Sequence, residues 1–342
     1  MQGLREFREQ RVRYRNRRDS VCMTTPTPFF SVVVPTWNTG AKIDETIHSL
    51  LNQDFPRDQY EIIVVDDGST DDTLDRLKPY PDRIQISRQQ NSGAASARNR
   101  GNQLAKGEYI VCFDHDDILF PHALTVYKRV IDAFEHPPVL MAEMTLFSTV
   151  EALELASGKP SSVECVKCRD YFGKTIFTAV MNSVLVLRKD RVLSAGGYSP
   201  DAGSYDDDDI LFKLGNASPM VKIIRPITVG YRMHARNASR DLEFYTQGAL
   251  ALIRNERRGV YPGGGRRMID RRGLIGSHII WVCFWHFWKR KTPLYARFAF
   301  IVRLLLHARG MIFVAFLRKV ARKFYSHEAR SIDFSVSKSA ER

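Results

Sequence analysis

The fold is decided by residues 61–73, EIIVVDDGSTDDT, where an apolar β-branched run ends in acids and turn-forming residues. The run is typical of a buried strand, and the Ser, Thr and Asp cap signals after it predict a helix from 71 to 77. Similar strand–helix units precede and follow this segment in the sequence. We predict further strands at 29–35, 83–89, 108–114, 139–147 and 226–234, and helices at 44–53, 94–104, 124–134 and 204–214. This alternation predicts an α/β fold with a doubly wound, mostly parallel sheet.

Polar clusters end three of these strands, namely PTWN at 35–38, DDGSTDD at 66–72 and DHDD at 114–117. In open α/β sheets, ligands bind outside the carboxyl ends of the strands. Each cluster also has a structural interpretation, because acids and Ser or Thr after a strand suit Asx turns and helix caps. Three such clusters together favour a ligand site at this edge of the sheet.

The acids suggest two kinds of chemistry. Asp114, Asp116 and Asp117 would share a small volume, and such like charges raise one another's pKa unless a cation neutralises them. Carboxylates in this arrangement suit Mg²⁺ or Mn²⁺ held jointly with substrate phosphates. The four-Asp run at 206–209 begins a predicted helix, where the helix dipole tolerates negative charge. It is either a solvated face or the source of a general base.

Charge is unevenly distributed along the chain. The net charge of +13 combines +4 in residues 1–20, −6 in residues 21–253 and +15 in residues 254–342. The 44% hydrophobic and 26% charged content excludes a disordered chain, a collagen and a multi-span membrane protein. An acidic body would repel a phosphate backbone, so we expect no nucleic-acid partner.

The order of the motifs resembles that of a family 2 glycosyltransferase of the inverting, nucleotide-sugar-dependent kind with a GT-A fold. The resemblance covers about 29–245, roughly two thirds of the chain. It is carried by VVVPTWN (32–38), LLNQDFP (50–56), EIIVVDDGSTDDT (61–73), NSGAASARNRGNQLAKGEYIVCFDHDD (91–117), GGYSPD (196–201), SYDDDDILFKL (204–214) and YRMHARNAS (231–239).

The resemblance implies a nucleotide-binding set at the ends of the first strands. The pocket would be lined by Pro35, Thr36, Trp37 and Asn38. Asp67, supported by Asp66, would read the base and the ribose. Arg98 would face the diphosphate, with a surface ion pair as the alternative.

The resemblance also implies a divalent metal, Mn²⁺ or Mg²⁺, as cofactor. The motif Asp114-His115-Asp116 matches the family's DxD, with Asp114 toward the ribose and the metal, His115 in the donor pocket and Asp116 on the metal. His234 matches a late histidine that completes the metal or diphosphate site, and a core histidine is the alternative.

The family's general base is expected in the four-Asp run. The family pattern is Glu-Asp, a spacer, Asp and Leu, and aligning Asp209-Ile210 with its last pair makes Asp207 the base. This sequence has Asp206 in place of the Glu, and four identical residues permit a one-residue slip, so Asp208 is an alternative base.

We divide the chain into a basic N-terminal arm (1–28), a glycosyltransferase domain (29–253) and a basic aromatic tail (254–342). The domain comprises a nucleotide-binding half (29–120) and an acceptor half (121–253). Aromatic and basic residues in the tail predict amphipathic helices on an anionic membrane surface, and a helical pair packed on the domain is the alternative. The longest charge-free stretch of the tail, 273–288, is too short to span a bilayer.

The predicted function is transfer of a sugar from a nucleoside diphosphate sugar, with UDP favoured over GDP or dTDP. The acceptor would be a glycan or a lipid-linked glycan. The enzyme would be cytoplasmic and peripheral on the cytoplasmic membrane face, because no secretion signal is visible and only five cysteines are present. The alternative is a nucleic-acid-binding or membrane-binding protein built on an inactive transferase fold.

Overall fold

The computed structural model of the protein describes residues 27–149, 160–168, 171, 181–215, 219–234, 242–288, 294–308, 310–315 and 328–333. The strands are β1 Phe30–Thr36, β2 Tyr60–Asp66, β3 Gln85–Arg88, β4 Tyr109–Cys112, β5 Ile118–Leu119, β6 Val139–Met141, β7 Met144–Phe147, β8 Ser162–Cys168, β9 Leu185–Arg188, β10 Met220–Arg225, β11 Val229–Arg232 and β12 Glu328–Asp333. The α-helices are α1 Lys42–Leu51, α2 Thr73–Leu77, α3 Ala94–Leu104, α4 Ala123–Ala133, α5 Lys189–Ser194, α6 Asp206–Lys213, α7 Leu242–Arg257, α8 Arg266–Trp288 and α9 Leu294–Ala308.

The main sheet has the strand order β12-β8-β10-β6-β9-β4-β1-β2-β3. β3, β2, β1 and β4 form a parallel block, and β6 and β10 also pair in parallel. β8 and β9 run against their neighbours, so the other strands of this sheet share one direction. The predicted α/β fold with a mostly parallel sheet is confirmed.

Helices cover both faces of the sheet, which makes it doubly wound. Buried residues of α1, α2 and α4 pack on one face, and those of α3 and of α5 to α9 pack on the other. β1 shows how the sequence allows this, because Val32 and Val34 face one core and Val33 faces the other. A strand buried on both faces reads as a continuous apolar run, as the sequence does here.

A smaller sheet, with the order β5-β11-β7, lies beside the main one. The single strand predicted for 139–147 is therefore wrong. It is two strands, β6 and β7, and they belong to different sheets. β11 pairs with both β5 and β7, and this brings the segment before His234 close to the segment after Asp117.

The predicted boundary at 253/254 falls inside α7, so the tail is continuous with the domain. α8 packs against the domain through Ile275, Ile279 and Val282, which are fully buried. The tail is not purely helical, because β12 pairs antiparallel with β8 at the edge of the main sheet. Residues 1–26 of the predicted arm lie outside the described residues. None of the helices described is long and apolar enough to cross a membrane.

Candidate active site

The ends of β1 and β2 form the first part of the site. Thr36 is the register partner of Asp66 in the parallel pair. The loops that follow are tied together, because the backbone N–H of Asn38 donates to Ser69 Oγ at 2.9 Å and the N–H of Thr70 donates to Asn38 Oδ1 at 2.8 Å. Pro35 and Thr36 are buried, whereas Trp37 is 51% exposed. The PTWN segment thus presents one large aromatic ring at the carboxyl edge of the sheet.

Asp67 fixes the loop that leads into α3. Its carboxylate accepts hydrogen bonds from Gln89 Nε2 at 2.8 Å and from the backbone N–H groups of Ser92 at 2.9 Å and Gly93 at 2.8 Å. Asp67 is buried, and these three hydrogen bonds hold the loop of residues 89–93 in place. Direct reading of a base or ribose, the predicted role, would have to use the carboxylate's remaining lone pairs.

Asp66 is fully buried beneath an open pocket. Its Oδ1 accepts from the backbone N–H of Ser69 at 3.1 Å, and its Oδ2 lies 3.1 Å from Arg88 Nε. The pocket, with a volume of about 580 Å³, is lined by Gly68 and residues 88–91. Asp66 thus pairs with Arg88, a residue that lines the pocket, and its predicted supporting role stays a prediction.

The DxD motif lies on the neighbouring strand end, after β4. His115 Nδ1 lies 3.2 Å from the backbone carbonyl of Pro35, so the motif is held against the PTWN segment. Asp116 Oδ2 lies 2.6 Å from His234 Nε2. The predicted DxD acid and the predicted late histidine, 118 residues apart, are thus direct neighbours.

The last acid of this cluster, Asp117, is fully buried. Its carboxylate accepts from Ser183 Oγ at 2.5 Å and from the backbone N–H of Arg232 at 3.0 Å. Burial, followed by the charges of Asp114 and Asp116, raises its pKa well above the usual value. Asp117 therefore anchors the DxD loop to the small sheet.

Arg98 links two of the acidic motifs. It is buried on α3, and its two terminal nitrogens face carboxylates. Nη2 donates to Asp114 Oδ1 at 2.6 Å, and Nη1 donates to Asp206. It is not a surface ion pair, and its role at the diphosphate stays a prediction. Its two charge-assisted hydrogen bonds join the DxD motif to the four-Asp run across 92 residues of sequence.

All four acids of the 206–209 run are buried at the start of α6, so the solvated-face alternative is wrong. Asp206 accepts from Arg98 and from Asn182 Nδ2 at 2.9 Å. Asp209 is an anchor, because it accepts from Tyr261 Oη at 2.8 Å and lies 3.1 Å from Lys213 Nζ. The outer two acids therefore have structural partners.

The middle two acids, Asp207 and Asp208, have opposite surroundings. Burial, and then the charges of Asp208 and Asp206, raises the pKa of Asp207 well above its usual value. Burial alone would raise the pKa of Asp208 too, but His278 and Tyr171 hold it below its usual value. Tyr171 Oη donates to Asp208 at 2.5 Å, and His278 Nε2 lies 3.1 Å from Asp208 Oδ2. The carboxyl of Asp207 therefore holds a proton more tightly than that of Asp208.

Several residues of the site had no signal in the sequence. Tyr171, Asn182 and Ser183 lie in the least patterned region, between 140 and 205, and His278 lies in the tail outside every motif. Arg232, two residues before His234, ion-pairs with Glu45 and donates to the backbone carbonyl of Asp116 at 2.8 Å. The one clue to Arg232 in the sequence was its position in the segment YRMH, close to the candidate ligand His234.

A divalent ion would find two adjacent ligand types at Asp116 and His234: a carboxylate, which suits Mn²⁺ or Mg²⁺, and an imidazole, which is a softer ligand than Mg²⁺ prefers. No group of three or more His, Cys, Asp or Glu side chains in the described ranges is arranged to hold a metal. Asp114, the third predicted ligand, is paired with Arg98. The residues fit an ion that takes its remaining ligands from a bound diphosphate and water.

Comparison with known proteins shows what part of the chain is similar to. Residues 31–146 match the sequence profile of glycosyl transferase family 2. The poly(ribitol-phosphate) β-N-acetylglucosaminyltransferase TarS of Staphylococcus aureus (strain Mu50 / ATCC 700699) is 36% identical over 119 residues, which are 34% of this chain and 21% of TarS. The poly(ribitol-phosphate) β-glucosyltransferase of Bacillus spizizenii is 46% identical over 99 residues, 28% of this chain and 16% of that protein. The chain thus matches about a fifth or less of these relatives' lengths.

A solved structure shows the fold. The crystal structure of S. aureus TarS 1–349 in complex with UDP superposes with a TM-score of 0.52 and 22% identity, covering 81% of this chain and 70% of that one. The likeness extends past the matched segment and supports a GT-A-like fold for most of the chain. Residues 31–146, about a third of the chain, are therefore similar to glycosyl transferase family 2.

Proposed function

We propose that the protein is an inverting glycosyltransferase that uses a nucleoside diphosphate sugar, with a UDP-sugar as donor. One observation carries the proposal: Arg98 holds the DxD motif and the buried four-Asp run together in a single site. A DxD motif for the leaving group and a base for the acceptor are what such a transfer requires. The similarity to TarS, solved with UDP, supports uracil as the base of the donor nucleotide.

Asp207 is proposed as the general base. Within the described part of the chain, we find no side chain that hydrogen-bonds or ion-pairs with it, and its Oδ1 accepts only the backbone N–H of Asp208 at 2.8 Å. Asp207 would take the proton of the acceptor hydroxyl as that oxygen attacks the anomeric carbon. The nucleoside diphosphate would leave from the opposite side, which inverts the configuration. Asp208, held by Tyr171 and His278, is the less suited candidate.

The donor would bind at the carboxyl ends of β1, β2 and β4. The exposed Trp37 ring and Asn38 would contact the nucleoside, over a floor of Pro35, Thr36, Asp66 and Asp67. Asp114 and His115 would approach the ribose from the DxD loop, and Arg98 would act by holding Asp114 in place. A Mn²⁺ or Mg²⁺ ion on Asp116 and His234 would neutralise the charge of the departing diphosphate.

The tail supports an acceptor on a membrane surface. α8 and α9 carry exposed large apolar residues, including Phe284, Trp288, Phe298 and Leu306, in a segment with a net charge of +15. We therefore propose peripheral association with an anionic membrane on its cytoplasmic face, and a glycan or lipid-linked glycan as acceptor. Both relatives named above are sugar transferases named for a polymer, poly(ribitol phosphate), which supports a role in polysaccharide biosynthesis.

Donor binding tests the proposal directly. We expect UDP with Mn²⁺ to raise the melting temperature of the wild-type protein, because a ligand that binds only the folded state stabilises it. Asp116→Asn should lose the dependence on Mn²⁺. Asp132→Asn, which changes an exposed acid on α4, is the matched control and should behave as wild type. No shift with UDP, GDP or dTDP in the presence of Mn²⁺ would contradict the proposal.

A further inference from the structure

A continuous series of aromatic rings leads away from the two central acids. Tyr205, which directly precedes the four-Asp run, is buried and lies 4.4 Å from the His278 ring, centroid to centroid. Its other neighbour is Tyr245 of α7, edge-on at 5.4 Å. Tyr245 contacts Trp281 at 4.9 Å, and Trp281 contacts Trp285 at 5.8 Å. We call Tyr205, Tyr245, Trp281 and Trp285 the aromatic strip.

The strip is built on one side of α8. At about 100° per residue, His278, Trp281 and Trp285 lie within a sector of about 60°, next to the sector that buries Ile275 and Ile279. The strip therefore begins beside the core and ends in solvent, where Trp281 is 40% and Trp285 is 50% exposed. Two adjacent half-exposed indoles leading from a buried carboxylate pair are a typical mark of a binding surface.

The inner end of the strip lies close to the proposed base. Burial, and then the charge of Asp207, raises the pKa of Tyr245 to about 12. On the other side, His278 contacts both Tyr205 and Asp208. A molecule lying on Tyr245 and Trp281 would thus have one end near the four-Asp run, which the strip reaches through Tyr205 and His278.

We propose that the strip is the acceptor subsite, and that it binds a neutral pyranose unit of a glycan by stacking on Tyr245, Trp281 and Trp285. The inference rests on the proposed function and adds the class of acceptor. A pyranose ring has an apolar C–H face, which an indole can cover, and hydroxyls at its rim, which stay in water or reach Asp207. Aromatic rings offer large contact area with few rotatable bonds.

The surroundings favour this class over two others. Asp207 and Asp208 at the inner end would repel a phosphate, which argues against a polyol phosphate chain as the group bound there. A membrane surface would need the outer indoles but not the packing of Tyr205 on Tyr245 and on His278, which contacts Asp208. Phe287, on the opposite side of α8 and 57% exposed, is available for such a surface.

Calorimetric titration without turnover tests the subsite. The probes are maltotetraose, cellotetraose, mannotetraose and chitotetraose, with poly(ribitol phosphate) as the charged comparison, each added to the full chain saturated with UDP and Mn²⁺. We expect at least one tetrasaccharide to bind at millimolar concentration. Binding of poly(ribitol phosphate) alone, or of none of the probes, would overturn the proposal.

Matched variants locate the binding. Trp281→Ala should weaken tetrasaccharide binding by about tenfold, and Trp281→Phe should retain most of it. Phe287→Ala, which also removes an exposed aromatic ring but on the far side of the same helix, should bind as wild type. The proposal fails if Phe287→Ala weakens binding as much as Trp281→Ala, or if Trp281→Ala leaves binding unchanged.

A separate measurement keeps the two proposals apart. Binding of UDP with Mn²⁺ should be equal in wild type and all three variants, which also shows that each is folded. If the wild type fails to bind UDP, the donor proposal fails. If UDP binds and the strip variants leave tetrasaccharide binding unchanged, only the acceptor subsite is wrong.

Discussion

Asp207 and Asp208 are adjacent and chemically identical, and the protein makes them different through their neighbours. Asp208 accepts a hydrogen bond from the phenol of Tyr171 and lies beside the imidazole of His278, two residues from distant parts of the chain. Asp207 receives one backbone N–H and lies between two other carboxylates. A base is most effective when its pKa is near the working pH. The raised pKa of Asp207 therefore suits proton abstraction better than the lowered pKa of Asp208.

Replacing Asp207 and Asp208 one at a time should show which of the two is the general base. Asp207→Asn removes the base, and we expect transfer to fall by about 10²- to 10⁴-fold with UDP affinity unchanged. Asp208→Asn leaves Asp207 in place and should cause a clearly smaller loss. The rate of sugar transfer and the affinity for UDP are the measurements. An inactive Asp208→Asn beside an active Asp207→Asn would show that the one-residue slip is correct.

Asp207 should also destabilise the fold as the pH rises. Its folded-state pKa lies above its unfolded value, so the folded state binds the proton more tightly than the unfolded state does. That stabilisation is present at low pH and is lost as the pH rises through the folded pKa. A tenfold difference in proton affinity between the two states corresponds to about 1.4 kcal/mol in the free energy of unfolding.

Asp207→Asn removes the ionisation. We expect this variant to exceed wild type in free energy of unfolding at pH about 8 and to match it more closely near pH about 4. Urea denaturation at both pH values measures the difference, with Asp132→Asn as the control for an exposed acid. An equal effect of Asp207→Asn at both pH values would contradict the raised pKa.

At the residue scale, the sequence predicted which acids belong to the site but not most of the side chains that pair with them. The approach of Asp116 to His234 followed from the order of motifs. The partners of Asp208 did not, because Tyr171 and His278 lie in regions without a pattern and reach the acid only after the chain folds. Arg98 was placed at the diphosphate because the sequence does not show that two acids, 16 and 108 residues away, converge on it.

At the scale of elements, α7 sets the position of the four-Asp run. A Cβ on Gly248 of α7 would lie 2.5 Å from the backbone carbonyl oxygen of Ala202 and 3.1 Å from the Tyr205 ring. A carbonyl cannot move aside as a flexible side chain can. This close approach packs α7 against the turn that leads into Asp206.

Gly248→Ala should therefore displace α7 or the acid run. We expect a loss of about 1–3 kcal/mol in the free energy of unfolding, with transfer activity falling more than UDP binding, since the close approach of α7 is to the turn that precedes the acid run. Gly264→Ala is the control, because a Cβ there meets no atom within 4 Å. Chemical denaturation and activity assays provide the readouts. Equal stability of the two variants would rule out the close packing.

The elements of the donor half were predicted well and those of the tail poorly, for a physical reason. β1, β2 and β4 are buried on both faces and read as apolar runs whatever their partners are. β6 and β7 were merged because a continuous apolar stretch does not show where a chain leaves one sheet for another. β12, with the sequence EARSID, is an edge strand and its register with β8 depends on a distant partner.

At the scale of the whole molecule, charge and apolar surface are both concentrated in the tail. The segment 254–342 carries +15 against −6 in residues 21–253. On α9, Leu294, Phe298, Val302 and Leu305 form an exposed apolar stripe with helical spacing. Basic residues near an anionic leaflet contribute about 1 kcal/mol each. The combination fits a surface that rests on an anionic membrane with the acidic body turned away.

Vesicle sedimentation tests this orientation. We expect the wild type to sediment with vesicles containing phosphatidylglycerol, and not with phosphatidylcholine alone, and to be released as salt rises, because the Debye length falls from about 10 Å at 0.1 M to about 3 Å at 1 M. Phe298→Glu combined with Leu305→Glu places two charges in the stripe and should abolish sedimentation at low salt.

The control variant also introduces negative charge at an exposed apolar residue, but outside α9. Leu146→Glu adds a charge at an apolar residue of β7 that is 60% exposed and lies in the acidic body. It should sediment as wild type, because its surface would face away from the lipid. If Leu146→Glu and the stripe variant lose binding equally, the change in net charge is responsible rather than α9. If neither loses binding, the apolar stripe is not the surface that meets the membrane.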